Sequence, residues 1–169
     1  ELETDHNEED AVLEVLASGY LNDGPVVREF ERQFAARLGV THAVAVTSGT
    51  IAITAALLAL GIGPGNEVLV PNLTFIATAT AVRLTGASVR LVDVEPERFG
   101  MDVERAREAI GPRTRAIVSV DVNGRAPNYS ALEKLCSETG LNLVCDAAEA
   151  LGSQYQGAPI GTHGVAACF

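Results

Sequence analysis

Tryptophan is absent from the 169 residues, methionine occurs once, and the only lysine is Lys134. With five Phe and three Tyr, the core has to be built from Ala, Val, Leu and Ile, as in helices laid on a parallel sheet. Basic residues are few: 12 Lys and Arg against 22 Asp and Glu leave a net charge of −10. That balance argues against DNA, RNA or an anionic membrane as the main partner, because those need clustered bases. The dense acidic run Glu1 to Asp10 reads as a solvated tail and helix start. The longest apolar run, Ile51 to Ile62, is too short to span a bilayer, and the opening residues carry no signal-peptide pattern. Three cysteines, Cys136, Cys145 and Cys168, lack metal-ligand spacing, and their odd number fits a reducing, cytoplasmic compartment. Cys145 and Cys168 lie in apolar strands and read as small buried hydrophobes. In such a compartment the sequon at Asn128-Tyr-Ser130 carries no meaning.

What is present is an alternation of helical and strand patterns over a length that suits one domain. Helices are expected over Glu8 to Ala17, Pro25 to Leu38, Thr50 to Leu60, Phe75 to Leu84, Asp102 to Ile110 and Ser130 to Thr139. Pro25 and Gly39 punctuate the second, and Asp102 and Ser130 are the expected caps of the last two. Strands are expected over His42 to Val46, Glu67 to Val70, Ser88 to Val92, Arg115 to Val120, Leu141 to Cys145 and Val165 to Phe169. A small hairpin fits Gln154 to Ile160 around Gln156-Gly157. Repeated strand–helix units imply an α/β fold with a mostly parallel sheet and helices on both faces. Such sheets bind ligands at the carboxyl ends of their strands, and Ser48, Pro71 to Phe75, Asn123 and Asp146 all fall there.

Two motifs carry chemistry. Ala43-Val-Ala-Val-Thr-Ser48-Gly49-Thr50-Ile51 reads as a strand breaking into a helix, whose unpaired first amides and positive dipole end suit a phosphate. The same letters also describe an ordinary capped helix start. Leu141-Asn-Leu-Val-Cys145 ends on Asp146, a carboxylate that is costly to bury unless a cationic or hydrogen-bonding group meets it. A protonated pyridine nitrogen would do so; the plain alternative is an Asp capping a helix that starts at Ala147. Glu149 is either half of a capping box or a second site residue. Phe75, taken alone, reads as a core aromatic, with a ring-stacking plate as the alternative. Gly61-Ile-Gly63-Pro64-Gly65 follows a helix and precedes a strand, the reverse of a dinucleotide loop, and reads as a helix-stop turn. His163 reads as a loop residue, and His6 and His42 as surface residues.

Gly24-Pro-Val-Val-Arg-Glu-Phe30-Glu, the Ser48-Gly-Thr50 turn, Leu60-Gly-Ile-Gly-Pro-Gly-Asn-Glu-Val68, Pro71-Asn-Leu-Thr-Phe75-Ile-Ala-Thr, Pro112-Arg-Thr-Arg-Ala-Ile117 and Asp146-Ala-Ala-Glu-Ala-Leu-Gly-Ser153 occur in order along nearly the whole chain. Together they resemble the nucleotide-sugar aminotransferases of the DegT/DnrJ/StrS type, pyridoxal 5′-phosphate enzymes. The resemblance implies a three-layer α/β/α domain, part of the large domain of an aspartate-aminotransferase-like (fold type I) enzyme. It assigns N-terminal helices to residues 1–40 and a cofactor-binding core to 41–169, with the C-terminal part of the family fold absent. It implies that the Gly49–Thr50–Ile51 backbone and the Thr50 hydroxyl hold the cofactor phosphate, with Ser48 beside them in the cofactor site, that Phe75 stacks on the ring, that Asp146 meets the ring nitrogen, and that Glu149 lies near the ring hydroxyl. A nucleotide-sugar substrate, an amino-acid donor such as glutamate, and a homodimer follow from the same likeness. The chain departs from the pattern at Asp121, where many members carry histidine. The Asp-Ala-Ala-Glu wording leans toward members that act on 4-keto sugars, such as perosamine synthases.

The chain starts without Met and stops within an expected strand, as a fragment would. In the family the Schiff-base lysine follows that strand, beyond Phe169, and Lys134 reads as a surface residue. Two other readings stand beside the aminotransferase: a lysine-free relative of the pyridoxamine-phosphate-dependent sugar dehydratases, and a non-catalytic binding module that has lost the lysine.

Overall fold

The second helix forms where Pro25 and Gly39 bracket periodic apolar residues. The computed structural model describes residues 7–169, which divide into a unit ending at Ala45 and a larger one, Val46–Phe169. His6 and the start of the acidic run lie outside the described residues. In the first unit, α1 (Asn7–Ser18) buries no side chain, whereas α2 (Pro25–Leu38) buries Ala35 and Leu38. Pro25 opens α2 with its fixed φ, and Gly39, left-handed at φ 74°, closes it. The Gly39 and Val40 amides donate to the carbonyls of Ala36 and Ala35.

The second unit runs α3 (Gly49–Ala59), β1 (Glu67–Pro71), α4 (Ile76–Leu84), β2 (Ser88–Val92), α5 (Val103–Ala109), β3 (Thr114–Val120), α6 (Tyr129–Thr139) and β4 (Asn142–Asp146). A two-stranded hairpin, β5 (Gln154–Tyr155) with β6 (Ala158–Pro159), precedes β7 (Ala166–Cys168). The main sheet has the order β2-β1-β3-β4-β7, and every pairing in it is parallel. Side-chain alternation divides the core between its faces. Ala116 and Val118 pack with Ile53 and Leu57 of α3 and with Ala81 and Val82 of α4. Ile117 packs on the other face with Ala106 of α5 and Leu132 and Leu135 of α6. This is the expected three-layer α/β/α arrangement.

Three expectations change. Residues 42–46 form no strand, and Val44 and Val46 are exposed. An extended segment becomes a strand only when its amides and carbonyls join a ladder, and none forms there among the described residues. The cap of α6 is Asn128, whose side chain accepts from the Ala131 amide at 3.2 Å, and not Ser130. Ser130 instead lies one residue inside the helix, with Oγ 3.1 Å from the Tyr155 hydroxyl. No helix follows Asp146: residues 147–153 turn, which removes both the helix cap at Asp146 and the capping box at Glu149. Elsewhere the punctuation is as read, with Gly61 left-handed after α3 and Asp102 accepting from the Glu104 and Arg105 amides.

Candidate functional site

At the start of α3, Ser48 is extended and its Oγ accepts from the Ile51 amide at 3.3 Å. That cap fixes the first turn and leaves the Gly49 and Thr50 amides with no acceptor inside the helix. A second wall comes from the β1–α4 turn. Pro71 ends β1, and the chain passes through Leu73 and Thr74 to Phe75, which precedes α4 in an extended conformation. Phe75 is 76% exposed, so the core reading of this residue is overturned.

The floor is made by the ends of β3 and β4. Their register pairs Val120 with Asp146, and the Asp121 amide donates to the Asp146 carbonyl at 3.0 Å. Asp146 is 9% exposed and both carboxylate oxygens accept hydrogen bonds: Oδ2 from the Thr78 hydroxyl at 2.6 Å, Oδ1 from the Ala148 amide at 3.4 Å. The Thr74 hydroxyl lies 2.6 Å from that of Thr78, extending the chain of hydroxyls toward the cleft. The short chain after β3 makes a 3-10 turn, Val122–Gly124, in which Asn123 is left-handed at φ 52°. Its amide donates to Glu149 Oε2 at 2.6 Å, which ties the two turns together. Gly124 is required there: at φ 73°, a Cβ would stand 3.0 Å from Ser153 Oγ and 3.3 Å from the Glu149 carbonyl.

These parts enclose a cleft of about 490 Å³ whose lining includes Gly49, Thr50, Phe75, Asp121, Asp146 and Glu149. Of the residues singled out from the sequence, Ser48 and Ile51 do not line it; Ser48 is spent on the cap and Ile51 is 40% exposed. Thr78 and Asp121 were not singled out as site residues. Asp121 carried the same signal as Asp146, a carboxylate closing an apolar strand, whereas Thr78 lies in the first turn of α4 and carried no signal beyond its position after the β1–α4 turn. The cleft is polarised. Three carboxylates and no Lys or Arg are among its lining residues, while a helix N-terminus supplies the positive end at Gly49 and Thr50. A ligand with an anionic tail and a cationic, flat head is complementary to it.

Lys134 takes no part. Its side chain is 75% exposed on α6 and lies 3.9 Å from Glu138. Cys136, Cys145 and Cys168 are all buried, and burial pushes the Cys145 and Cys168 thiols up to about 12, so none is a reactive thiolate. No metal-holding cluster of His, Cys, Asp or Glu occurs among the described residues, and none of their helices is long and apolar enough to cross a membrane.

A profile of the DegT/DnrJ/EryC1/StrS aminotransferase family matches residues 3–169. The chain belongs to that family. Among its relatives, GDP-perosamine synthase of Caulobacter vibrioides is 41% identical over 166 residues, which are 98% of this chain and 45% of the relative. The crystal structure of DesV from S. venezuelae superposes with a TM-score of 0.89 at 42% identity, covering 90% of this chain and 41% of DesV. Spr1654 from Streptococcus pneumoniae, solved in a PLP form, gives 0.92 at 29% identity over 96% of this chain and 45% of Spr1654. The chain therefore spans less than half the length of these family members, and its mostly parallel α/β sheet is theirs.

Proposed function

We propose that these residues form the cofactor-holding part of a pyridoxal-phosphate-dependent aminotransferase that moves an amino group, from a donor such as glutamate, to a keto group of a nucleotide-linked sugar. The observation that carries this is Asp146: a nearly buried carboxylate, held by Thr78 and the Ala148 amide, in the same cleft as an exposed aromatic ring and a helix start. That donor set fits the cofactor's chemistry part for part. The Gly49 and Thr50 amides and the Thr50 hydroxyl suit a phosphate, Phe75 presents a ring face to stack on, and Asp146 suits a protonated ring nitrogen. Glu149, braced by the Asn123 amide, is assigned to the ring hydroxyl.

When bound, pyridoxal phosphate supplies the carbonyl that exchanges the amino group and the ring that withdraws its electrons. This chain's residues contribute orientation and charge. Asp146 keeps a proton on the ring nitrogen, the α3 start fixes the tail, and Phe75 fixes the plane of the ring. The Schiff-base lysine is assigned to a segment following Phe169, since Lys134 stands on the outer face of α6. Leu73, Phe75 and Ile76 are exposed around the mouth, which supports a second copy of the protein covering it.

The test needs no lysine. Pyridoxamine 5′-phosphate, which carries no aldehyde, is titrated into the chain and its ring absorbance followed. Saturable binding is expected, weakened at least tenfold by Asp146→Asn and again by Thr50→Val. Binding that Asp146→Asn leaves unchanged would remove the cofactor reading.

A further inference from the structure

Asp121 is a departure from the family pattern, and it is fully buried at the end of β3, one rung from Asp146. Its Oδ2 accepts from the Tyr129 hydroxyl at 2.7 Å, while Oδ1 is buried without a protein partner in a residue that lines the cleft. A buried carboxylate oxygen with no donor is costly unless a positive group shares its environment. We propose that Asp121 is a second recognition carboxylate of this cleft, lending its charge to the cationic ring that Asp146 meets, with Tyr129 as the residue that holds it ionised. The proposal rests on the cofactor reading given above.

The surroundings of Asp121 can be named from every side. On β3 the neighbour is Ser119, whose Oγ is buried and unpartnered; on β4 they are Cys145 and Asp146. From α6 comes Tyr129, and from the loop before β7 comes His163, whose ring stacks on Tyr129 at 4.4 Å. His163 Nδ1 lies 3.1 Å from Glu133, so the imidazole is anchored away from the cleft, and its Nε2 is buried without a partner. The turn after β4 brings Glu149 to the Asn123 amide, and α4 brings only the Thr78 hydroxyl, which is committed to Asp146. No Lys or Arg side chain stands among these groups, and His163, which favours the ionised carboxylate from a distance, is hydrogen-bonded to Glu133, so Oδ1 of Asp121 is left for a bound cation to meet.

Burial and the charge of Asp146 push the Asp121 carboxyl up to about 6, against the stabilising pull of the Tyr129 hydroxyl and of His163. Asp121 therefore releases its proton to solvent as the pH rises through that value, and only then adds its charge to the site. Asp146 acts by contact; Asp121 acts through the field at the ring, as a positioning residue.

The experiment is the pyridoxamine 5′-phosphate titration repeated from pH 5 to pH 8.5 on wild type, Asp121→Asn, Tyr129→Phe and Asp146→Asn. Dividing each wild-type affinity by that of Asp121→Asn cancels the ligand's own titration. The ratio is expected to stay near one at pH 5, where Asp121 is protonated, and to reach about tenfold above pH 7. Tyr129→Phe removes the donor without changing the ring's shape, so its pH crossover should move upward, a shift that a purely structural role would not produce. A ratio that is flat across the range, with Asp146→Asn still weakening binding, overturns the proposal and leaves the cofactor reading intact. No binding by wild type at any pH overturns both.

Discussion

Asp121 and Asp146 occupy equivalent places at the ends of neighbouring strands, yet their environments differ. Asp146 has a donor on each oxygen, whereas Asp121 has one donor and an orphan oxygen. The consequence for stability has a definite sign. The ordinary aspartate value is 3.8 and the folded chain holds Asp121 at about 6. Between those values the folded state keeps a proton that the unfolded state has released, so stability falls as the pH rises from about 4 to about 6. Above pH 6 the full cost is in place. Asp121→Asn should therefore match wild type near pH 4 and exceed it at pH 8 by on the order of 2 kcal/mol. Urea unfolding at the two pH values measures it, and parallel pH profiles for the two proteins would contradict it. A residue that costs stability while improving ligand affinity is what a site residue is expected to be.

Among the secondary elements, the ones readable from the sequence were those whose determinants are local. Pro25 and Gly39 bracket α2, Asp102 caps α5, and Gln156-Gly157 turns the β5–β6 hairpin, because each acts through a few neighbouring backbone groups. The misreadings share the opposite cause. Residues 42–46 have an apolar pattern but no ladder among the described residues, and a ladder depends on chain that is distant in sequence. Asn128 and Ser130 are both residue types that cap helices well and stand two positions apart, so the local sequence does not choose between them; the position of Tyr155, 25 residues on from Ser130, is what separates them. The same limit applies to the surroundings of Asp121: the residue itself is readable as a departure at the end of β3, but its bond from Tyr129, and the His163 ring stacked on Tyr129, come from later segments of the chain. Phe75 shows the converse, since its exposure follows from the turn that β1 makes and not from its own chemistry. The two caps can be told apart by experiment. Asn128→Ala removes the bonds from the Ala131 amide and the Tyr155 hydroxyl and should cost about 1 kcal/mol, lowering Tm by about 3 °C. Ser130→Ala leaves Tyr155 with Asn128 Oδ1, at 3.3 Å, and should stay within about 0.5 kcal/mol. Equal losses in thermal scans of the two variants would restore Ser130 as the cap.

For the molecule as a whole, burial is concentrated in one place. Val68, Leu69 and Val70 of β1, Ala116, Ile117 and Val118 of β3 and Val144 of β4 are completely shielded, so the three central strands carry packing on both faces. The first unit is built differently: α1 buries nothing, and α2 buries only Ala35 and Leu38. A helix of 12 residues without a buried face has little beyond its own hydrogen bonds to hold it, and such a helix is marginal in water. The central strands β1, β3 and β4 cannot open one at a time without exposing both apolar layers, so their amides are freed only when the second unit unfolds. Hydrogen exchange on a monomeric sample should divide accordingly. Amides of β1, β3 and β4 are expected to exchange at the rate set by global unfolding, while those of α1 exchange by local fraying, faster by several orders of magnitude. Protection of α1 equal to that of β3 would show that the first unit draws its stability from the second, and the division of the chain at Ala45 would then lose its physical meaning. The candidate cleft lies wholly on the protected side of that division, with its floor on β3 and β4 and its phosphate end on α3. Pyridoxamine phosphate binding should therefore slow exchange at the start of α3 and in the turns after β3 and β4, and leave α1 unchanged.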